Sequence, residues 1–182
     1  GATPNSCGWL PSRINDAKCA VRKTTAAFGG VNFGLASFSL SLSGCPSACN
    51  FGLSGSYAYG YVGCSFSGDQ CSGARIVVPL LQDSFWSSNP PPDTNLANIF
   101  QYADNSCGDS RELHAYGGTP LGGALNNMRT YFQSSFNGFA SPLGTSSQER
   151  PCRSVNVILL TDGGETCGGD PVSAAQSLYN GF

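Results

Sequence analysis

The chain has 182 residues, a length that suits one domain with a buried core, and its hydrophobic fraction of 40% excludes a chain that is disordered by composition. The charged fraction is only 11%, so the surface is neutral and polar, and the net charge of -2 argues against nucleic-acid binding, which needs a basic face. No apolar run reaches the roughly 20 residues of a membrane-spanning helix, so we expect no membrane span.

The first predicted helix begins at Ser12, a residue that can cap it, and its apolar residues recur at helical spacing through about Ala27. Cys19 lies inside this helix, so we expect a disulfide that ties the helix to a neighbouring loop. Glycines end the helix, and the alternating pattern of residues 31–39 then predicts a strand.

Residues 44–73 differ in composition from the rest of the chain, being rich in Gly, Ser and Tyr and containing four cysteines. They have too few aliphatic residues for a core of their own, so we interpret them as a disulfide-rich insertion and not as a domain. The alternation of Tyr57, Tyr59 and Tyr61 suggests a short hairpin strand. Two interpretations stay open: a binding loop with exposed aromatic side chains, or a decoration at a sheet edge.

A second strand is predicted over residues 74–81, where Pro79 indicates an edge position because proline cannot donate to a ladder. A helix then begins at Asp93 or Thr94. Its apolar face is formed by residues at helical spacing, namely Leu96, Ile99, Phe100 and Ala103.

Two more helices are predicted in the second half of the chain. The first follows residues 117–121, which read Gly-Gly-Thr-Pro-Leu, with Pro120 suited to the first turn and Thr119 to the N-cap. The second begins at Pro171 and continues to about Leu178.

The most apolar stretch is residues 155–160, in which every residue except Asn156 is aliphatic. A short β-branched run that is apolar on both alternations predicts a buried strand of a parallel sheet. Thr-Asp-Gly-Gly ends the run, so Asp162 would lie at the carboxyl end of the strand, the edge at which open α/β sheets bind ligands. A plain turn is the alternative, because Asp-Gly is a common turn signal.

The chain contains nine cysteines and one histidine, His114. Zinc sites need paired C-x-x-C spacings, whereas these spacings are wider and irregular, so we predict disulfides formed in an oxidising compartment, extracellular or at the cell surface. A bond between Cys152 and Cys167 would span the predicted strand, which favours other partners for both. Because Gly1 follows neither an initiator Met nor a signal peptide, we expect a processed piece of a larger secreted protein.

The order of these elements resembles the von Willebrand factor A (vWA) domain. Residues 117–121 resemble the second metal-site loop of that family, and residues 160–163, Leu-Thr-Asp-Gly, resemble the third. Residues 31–38 add to the resemblance. The cysteines, short loops and insertion are most similar to bacterial secreted members, among them the tip adhesins of type IV pili.

The resemblance implies a doubly wound, mostly parallel α/β sheet with helices on both faces. It also implies a metal-ion-dependent adhesion site at the carboxyl edge of the sheet, where the Thr119 hydroxyl and the Asp162 carboxylate bind a divalent cation directly or through water. Mg²⁺ is the expected ion, with Ca²⁺ or Mn²⁺ as alternatives, because it accepts a few oxygen ligands and leaves a position for a carboxylate of the partner.

The chain departs from the family pattern in lacking the first loop, D-x-S-x-S. Residues 12–18 resemble the helix that follows this loop, so we expect residues 1–182 to be a partial vWA-like domain with half a site. The central first strand and the last strands would lie outside this chain. Their absence would leave residues 31–39 and 155–161 with unpaired backbone groups and exposed apolar side chains, so we expect no autonomous fold.

Two functions follow from these expectations. The first is a non-enzymatic adhesion or assembly module that binds a protein or cell-surface ligand offering a carboxylate, or other subunits of a pilus or surface assembly. The alternative is a structural component of an extracellular fibre or surface layer with a vestigial metal site. An enzyme is disfavoured because the chain has no G-x-S-x-G or H-E-x-x-H motif. Asp162 and Glu165 are interpreted as a ligand and a solvated loop charge, not as a glycosidase pair.

Overall fold

The computed structural model describes residues 3–38, 41–43, 65–67, 69–81, 94–105, 111–113, 117–143 and 154–181, and every structural statement below concerns these residues. They form four helices and four strands. In chain order these are α1 (Arg13–Ala27), β1 (Leu35–Phe38), β2 (Ser41–Ser43), β3 (Ser65–Ser67), β4 (Ala74–Val78), α2 (Thr94–Tyr102), α3 (Leu121–Gln133) and α4 (Pro171–Tyr179).

Helix α1 confirms the prediction made from its capping residue. Ser12 adopts an extended backbone conformation, and its hydroxyl accepts a hydrogen bond from the backbone N–H of Asn15 at 3.1 Å. The predicted tie from Cys19 to a neighbouring loop is also confirmed, because a disulfide joins it to Cys7 with a Cα–Cα distance of 5.8 Å. The loop before α1 is therefore fixed to the middle of the helix.

Helices α2 and α4 also begin where the sequence predicts. Asp170 caps α4 by accepting hydrogen bonds from the backbone N–H groups of Val172 at 3.1 Å and Ser173 at 3.0 Å, with Pro171 at the first helical position. In α2 and the turn after it, the predicted apolar face is buried, since Ile99 and Ala103 have relative exposures of 1% and 0%.

The strands pair in two antiparallel, two-stranded sheets. β1 pairs with β4, with Leu35 opposite Val78 and Phe38 opposite Ala74, and β2 pairs with β3. The mixed helix-and-strand class is thus established. The predicted doubly wound, mostly parallel sheet is not shown by the part of the chain described here, because both of its ladders run antiparallel. β4 ends immediately before Pro79, where the missing N–H interrupts pairing.

The strand predicted over residues 155–160 is not formed in the described part of the chain, whereas the exposure of its apolar side chains, which we expected from the missing central strand, is observed. The segment is part of neither ladder within the described ranges, and it is not paired with β1. Its apolar side chains are exposed, Ile158 by 79% and Leu160 by 55%. A strand needs a neighbouring strand to satisfy its N–H and C=O groups, and the apolar composition alone does not supply one.

The core lies between helices α3 and α4 and the end of β4. Its buried side chains are Leu125, Phe132, Ala174 and Leu178, with Leu80, Met128, Leu143 and Val155 packed against them. Tyr131 is also buried, and its hydroxyl accepts a hydrogen bond from the backbone N–H of Leu80 at 3.0 Å. Val155 therefore anchors one end of the exposed segment to the core.

Most of the predicted insertion at 44–73 lies outside the described residues, and so do the tyrosines 57, 59 and 61. The strands on either side of residues 44–64, β2 and β3, pair with each other in an antiparallel ladder. Five cysteines and the histidine also lie outside the described residues: Cys45, Cys49, Cys64, Cys107, Cys152 and His114.

Candidate functional site

The structure brings the two predicted ligand residues into one cluster of loops. A Cβ placed on Gly163, the neighbour of Asp162, would lie 3.9 Å from the Thr119 hydroxyl oxygen. The backbone N–H of Thr119 donates to the hydroxyl of Thr166 at 2.6 Å, and the N–H of Thr166 donates to the carbonyl of Thr119 at 3.2 Å. Loops 117–121 and 161–167, called the rim below, are therefore joined by reciprocal hydrogen bonds.

A disulfide between Cys71 and Cys167 fixes the rim to the loop before β4, with a Cα–Cα distance of 5.2 Å. Sequence reasoning left the partner of Cys167 open, and this bond supplies it. The same bond explains a glycine of the Gly-Gly-Thr-Pro motif, because a Cβ on Gly118 would lie only 2.9 Å from the Cys167 sulfur. A side chain at that position would push the rim loops apart.

Glu165 caps helix α3 and is not the solvated loop charge that the sequence suggested. Its Oε2 accepts the backbone N–H of Gly122 at 2.8 Å, and its Oε1 accepts the N–H of Cys167 at 2.7 Å. These backbone donors, Gly122 first, lower the pKa of Glu165. A carboxylate is also favoured there by the partial positive charge of a helix N-terminus.

The prediction that Thr119 caps helix α3 was therefore wrong. Pro120 occupies the N-cap position and makes no side-chain capping hydrogen bond, since the orphan N–H of Gly122 is satisfied by Glu165 from another loop. The Thr119 hydroxyl is consequently not used in capping.

Asp162 is exposed and pairs with Arg13 at the beginning of α1. The guanidinium Nη1 lies 3.0 Å from the Asp162 Oδ2, and the two side chains are 78% and 64% exposed. An ion pair this exposed contributes about 1 kcal/mol or less, so a divalent cation would displace Arg13 at little cost. The pair also shows that the start of α1 lies beside the rim.

The rim offers the kind of oxygen ligand that a divalent cation binds, but it offers only a few of them. A hydroxyl and a carboxylate are hard oxygen ligands, and Mg²⁺ commonly keeps several waters while binding one or two carboxylates. Among the described residues, no group of three or more His, Cys, Asp and Glu side chains could hold a metal ion. Thr119 and Asp162 therefore stay a prediction.

A second cluster of charged groups is buried where α1 lies beside the end of α2. The side chains of Lys18 and Glu112 are both only 1% exposed, and their Nζ and Oε1 atoms form a close ion pair. Lys18 also donates a hydrogen bond to the Oδ1 of Asn105 at 3.2 Å. Burial first and the neighbouring Asp104 next raise the pKa of Glu112, which is about 7 even though Lys18 lowers it, while burial lowers the pKa of Lys18.

Sequence reasoning missed this cluster because a lysine and a glutamate in a chain of low charge look like ordinary surface residues. The spacing of polar residues along α1 is a signal from which this cluster could have been predicted. Lys18 stands three residues after Asn15 and seven before Thr25, and all three face the interior of the protein on the same side of α1.

Comparison with protein-family models, with curated proteins and with solved structures found nothing that matches this chain. In the part of the chain that the structure describes, none of the helices has the length and apolar character needed to cross a membrane. The resemblance to the vWA domain therefore stays an expectation drawn from the sequence.

Proposed function

We propose that the chain is a non-enzymatic adhesion or assembly module of the vWA type, in which Thr119 and Asp162 hold a divalent cation, Mg²⁺ in the first place, at the rim. One observation carries the proposal. The two loops come from positions far apart in the sequence, yet the Thr119 hydroxyl lies 3.9 Å from the position of a Cβ on the neighbour of Asp162.

The residues around these two ligands support a rigid rim. Glu165 holds the first turn of α3, and the disulfide from Cys167 to Cys71 fixes the far side of the loop. A preorganised arrangement of this kind lowers the entropy cost of binding. A cation bound there would supply the positive charge that attracts a carboxylate of the partner.

The two disulfides, Cys7–Cys19 and Cys71–Cys167, are the observation that bears on the compartment. Disulfides persist in oxidising environments and are rare in the cytosol. We therefore place the module outside the cell or at its surface, where an adhesion partner, a pilus subunit or another surface protein would meet it.

The exposed segment favours a second candidate function, a structural component of an extracellular fibre or surface layer. Residues 157–160 present four apolar side chains to solvent, Ile158 most of all at 79%. Exposed apolar segments with unpaired backbone groups accept an added strand, so a strand of a neighbouring subunit would bury this one. Under either function, we assign residues 155–160 to a doubly wound, mostly parallel sheet once a neighbouring strand pairs with them.

Titration of the full chain with Mg²⁺ and with Mn²⁺, followed by calorimetry, tests the leading proposal. We expect Asp162→Ala to abolish cation binding and Thr119→Val, which removes the hydroxyl and keeps the side-chain shape, to weaken it. Asp16→Ala is the matched control, because Asp16 is an exposed carboxylate on α1 that bonds only to Asn5 among the described contacts. Equal binding by Asp162→Ala and the control would refute the site, and the structural function would then be favoured.

Arg13 provides a second test of the same site. Since its guanidinium pairs with Asp162, Arg13→Ala is expected to raise the affinity for Mg²⁺ by removing a competing cation. Lys23→Ala removes an equal charge from an exposed position on the same helix and should leave the affinity nearly unchanged. A loss of affinity in Arg13→Ala would mean that Arg13 supports the site and does not compete with it.

A further inference from the structure

We propose that Lys18 and Asn105 become joined by an intramolecular isopeptide bond, with Glu112 as the group that carries the proton. The cluster takes no part in the proposed cation site. It places a buried amine in contact with a carboxyl group on one side and a part-buried carboxamide on the other, which is the set of groups that this reaction needs.

The geometry places the amine against the group it would attack. The Lys18 Nζ lies 3.2 Å from the carboxamide oxygen of Asn105, one bond from the electrophilic Cγ, and it contacts Glu112 Oε1 on its other side. This hydrogen bond holds the amine beside the carboxamide that it would attack, and such positioning is what lowers the entropy cost of a reaction between two groups. Lys18 and Glu112 are each 1% exposed, so water is excluded from the amine.

The backbone also holds the carboxamide in place. Asn105 has a φ of 63°, in the left-handed region that asparagine tolerates better than most residues, in the turn that follows α2. The backbone N–H of Leu113 donates to the carbonyl of Tyr102 at 2.8 Å, which brings the residue before it, Glu112, back to the end of α2. The electrophile and the proton carrier are thus fixed to the same helix end.

Burial favours the reactive protonation states. It raises the pKa of Glu112 to about 7 and lowers that of Lys18, so the pair reaches its neutral form, an amine beside a carboxylic acid, more readily than in water. The neutral amine is the nucleophile, and lysines are activated in this way by desolvation. Asp104, which also raises the pKa of Glu112, helps to retain the proton on this carboxyl.

The step balances without an oxidant, a reductant or another reactant. The lone pair of the Lys18 Nζ attacks the Asn105 Cγ, and the carbonyl electrons move to Oδ1 and return as the bond from Cγ to Nδ2 breaks. Glu112 gives its proton to Nδ2, which leaves as ammonia, and its carboxylate then takes one proton from Nζ. The product is a secondary amide, and Glu112 ends in the protonation state in which it began.

The bond would link the middle of α1 to the end of α2 across 87 residues of sequence. Unlike the two disulfides it would resist reduction, which suits a protein that bears mechanical load or works where thiols are exchanged. The same reaction would convert the amine of Lys18 into a neutral amide, so no ammonium ion would have to be buried in the interior.

Intact-mass spectrometry of the purified full chain, after reduction of the disulfides, tests the proposal. We expect a mass lower than the calculated one by one molecule of ammonia. Trypsin should fail to cleave after Lys18, and tandem spectra should show a branched peptide that joins the segments containing Lys18 and Asn105. The full calculated mass, or a loss of ammonia that maps to any other residue, would overturn the proposal.

The variant Glu112→Gln tests whether Glu112 is needed to form the bond. This variant keeps the size of the side chain and cannot shuttle the proton, so it should show the full calculated mass and restored cleavage after Lys18. A branched peptide in Glu112→Gln would remove Glu112 from the mechanism. If this variant does not fold, the mass and the peptide map of the unaltered chain decide the question by themselves.

Discussion

The carboxylate of Glu165 accepts the backbone N–H of Gly122 at 2.8 Å, so a residue 43 positions further along the chain caps helix α3. The contact explains why the helix begins after proline without a capping side chain of its own. It also joins the two motif loops of the rim through a group that neither motif contains. This carboxylate consequently contributes both to the stability of α3 and, beside the Thr119–Thr166 hydrogen bonds and the Cys71–Cys167 disulfide, to the shape of the rim.

Replacing Glu165 with Gln should lower the urea midpoint of unfolding at neutral pH, because a neutral amide is a weaker acceptor than a carboxylate at a helix N-terminus. The backbone donors lower the pKa of Glu165, so its contribution is present above the pKa of the unfolded chain and is lost as the pH falls through the lower folded-state pKa. Asp162→Asn is the control, as its ion pair is exposed. Identical midpoints for the two variants from neutral to acidic pH would contradict the capping role.

The buried Glu112 should make stability depend on pH in the opposite direction. Its pKa is raised from 4.5 to about 7, so the folded chain binds the proton more tightly than the unfolded chain does. Stability is then fully present below pH 4.5 and declines as the pH rises through about 7. Urea unfolding of Glu112→Gln across this window should lack the decline. A wild-type chain with flat stability there would show that Glu112 is not buried as a titrating acid.

Removing the rim disulfide by Cys71→Ser with Cys167→Ser should cost about 2–5 kcal/mol in the free energy of unfolding, because the bond closes a long loop in the unfolded chain. Its two cysteines are 96 residues apart, whereas Cys7 and Cys19 are only 12 apart. The matched double variant of the shorter pair should therefore lose less. Denaturant unfolding of both variants checks the order, and an equal or larger loss for the shorter loop would contradict it.

The exposed segment can be tested at two positions of similar chemistry. Ile158→Asn is expected to change stability by no more than about 0.5 kcal/mol, since Ile158 is 79% exposed. Val155→Asn should cost about 1–3 kcal/mol, because Val155 packs against the core and a polar group would be brought there. Thermal unfolding of the two variants measures both losses of stability. Equal losses would mean that the whole segment is buried, as the sequence pattern predicts.

Local chemistry explains why several elements could be predicted and others could not. The Ser12 cap and the start of α4 at Pro171 are decided within about one helical turn, so their residues are adjacent in the sequence. The predicted strand at 155–160 failed for the converse reason. Its apolar composition predicts burial, but a buried strand needs a partner strand. The residues of the segment do not specify which strand that partner is.

The candidate site shows the same division. The loop motifs were enough to predict that Thr119 and Asp162 belong together, and the structure brings their loops into contact. The capping role of Glu165 and the partner of Cys167 were not predictable, because both depend on contacts between distant segments. The buried cluster of Lys18 was missed because burial of a charged residue runs against its usual preference for the surface.

The sequence by itself determined where α1, α2 and α4 begin and that cysteines form disulfides, since these depend on short-range patterns or on composition, and the resemblance added the approach of the two motif loops. Only the tertiary structure decided which cysteines bond, which carboxylate caps α3, and which apolar residues stay exposed. The physical reason is that these outcomes depend on interactions between segments as much as 96 residues apart, and such interactions leave no periodic trace in the sequence.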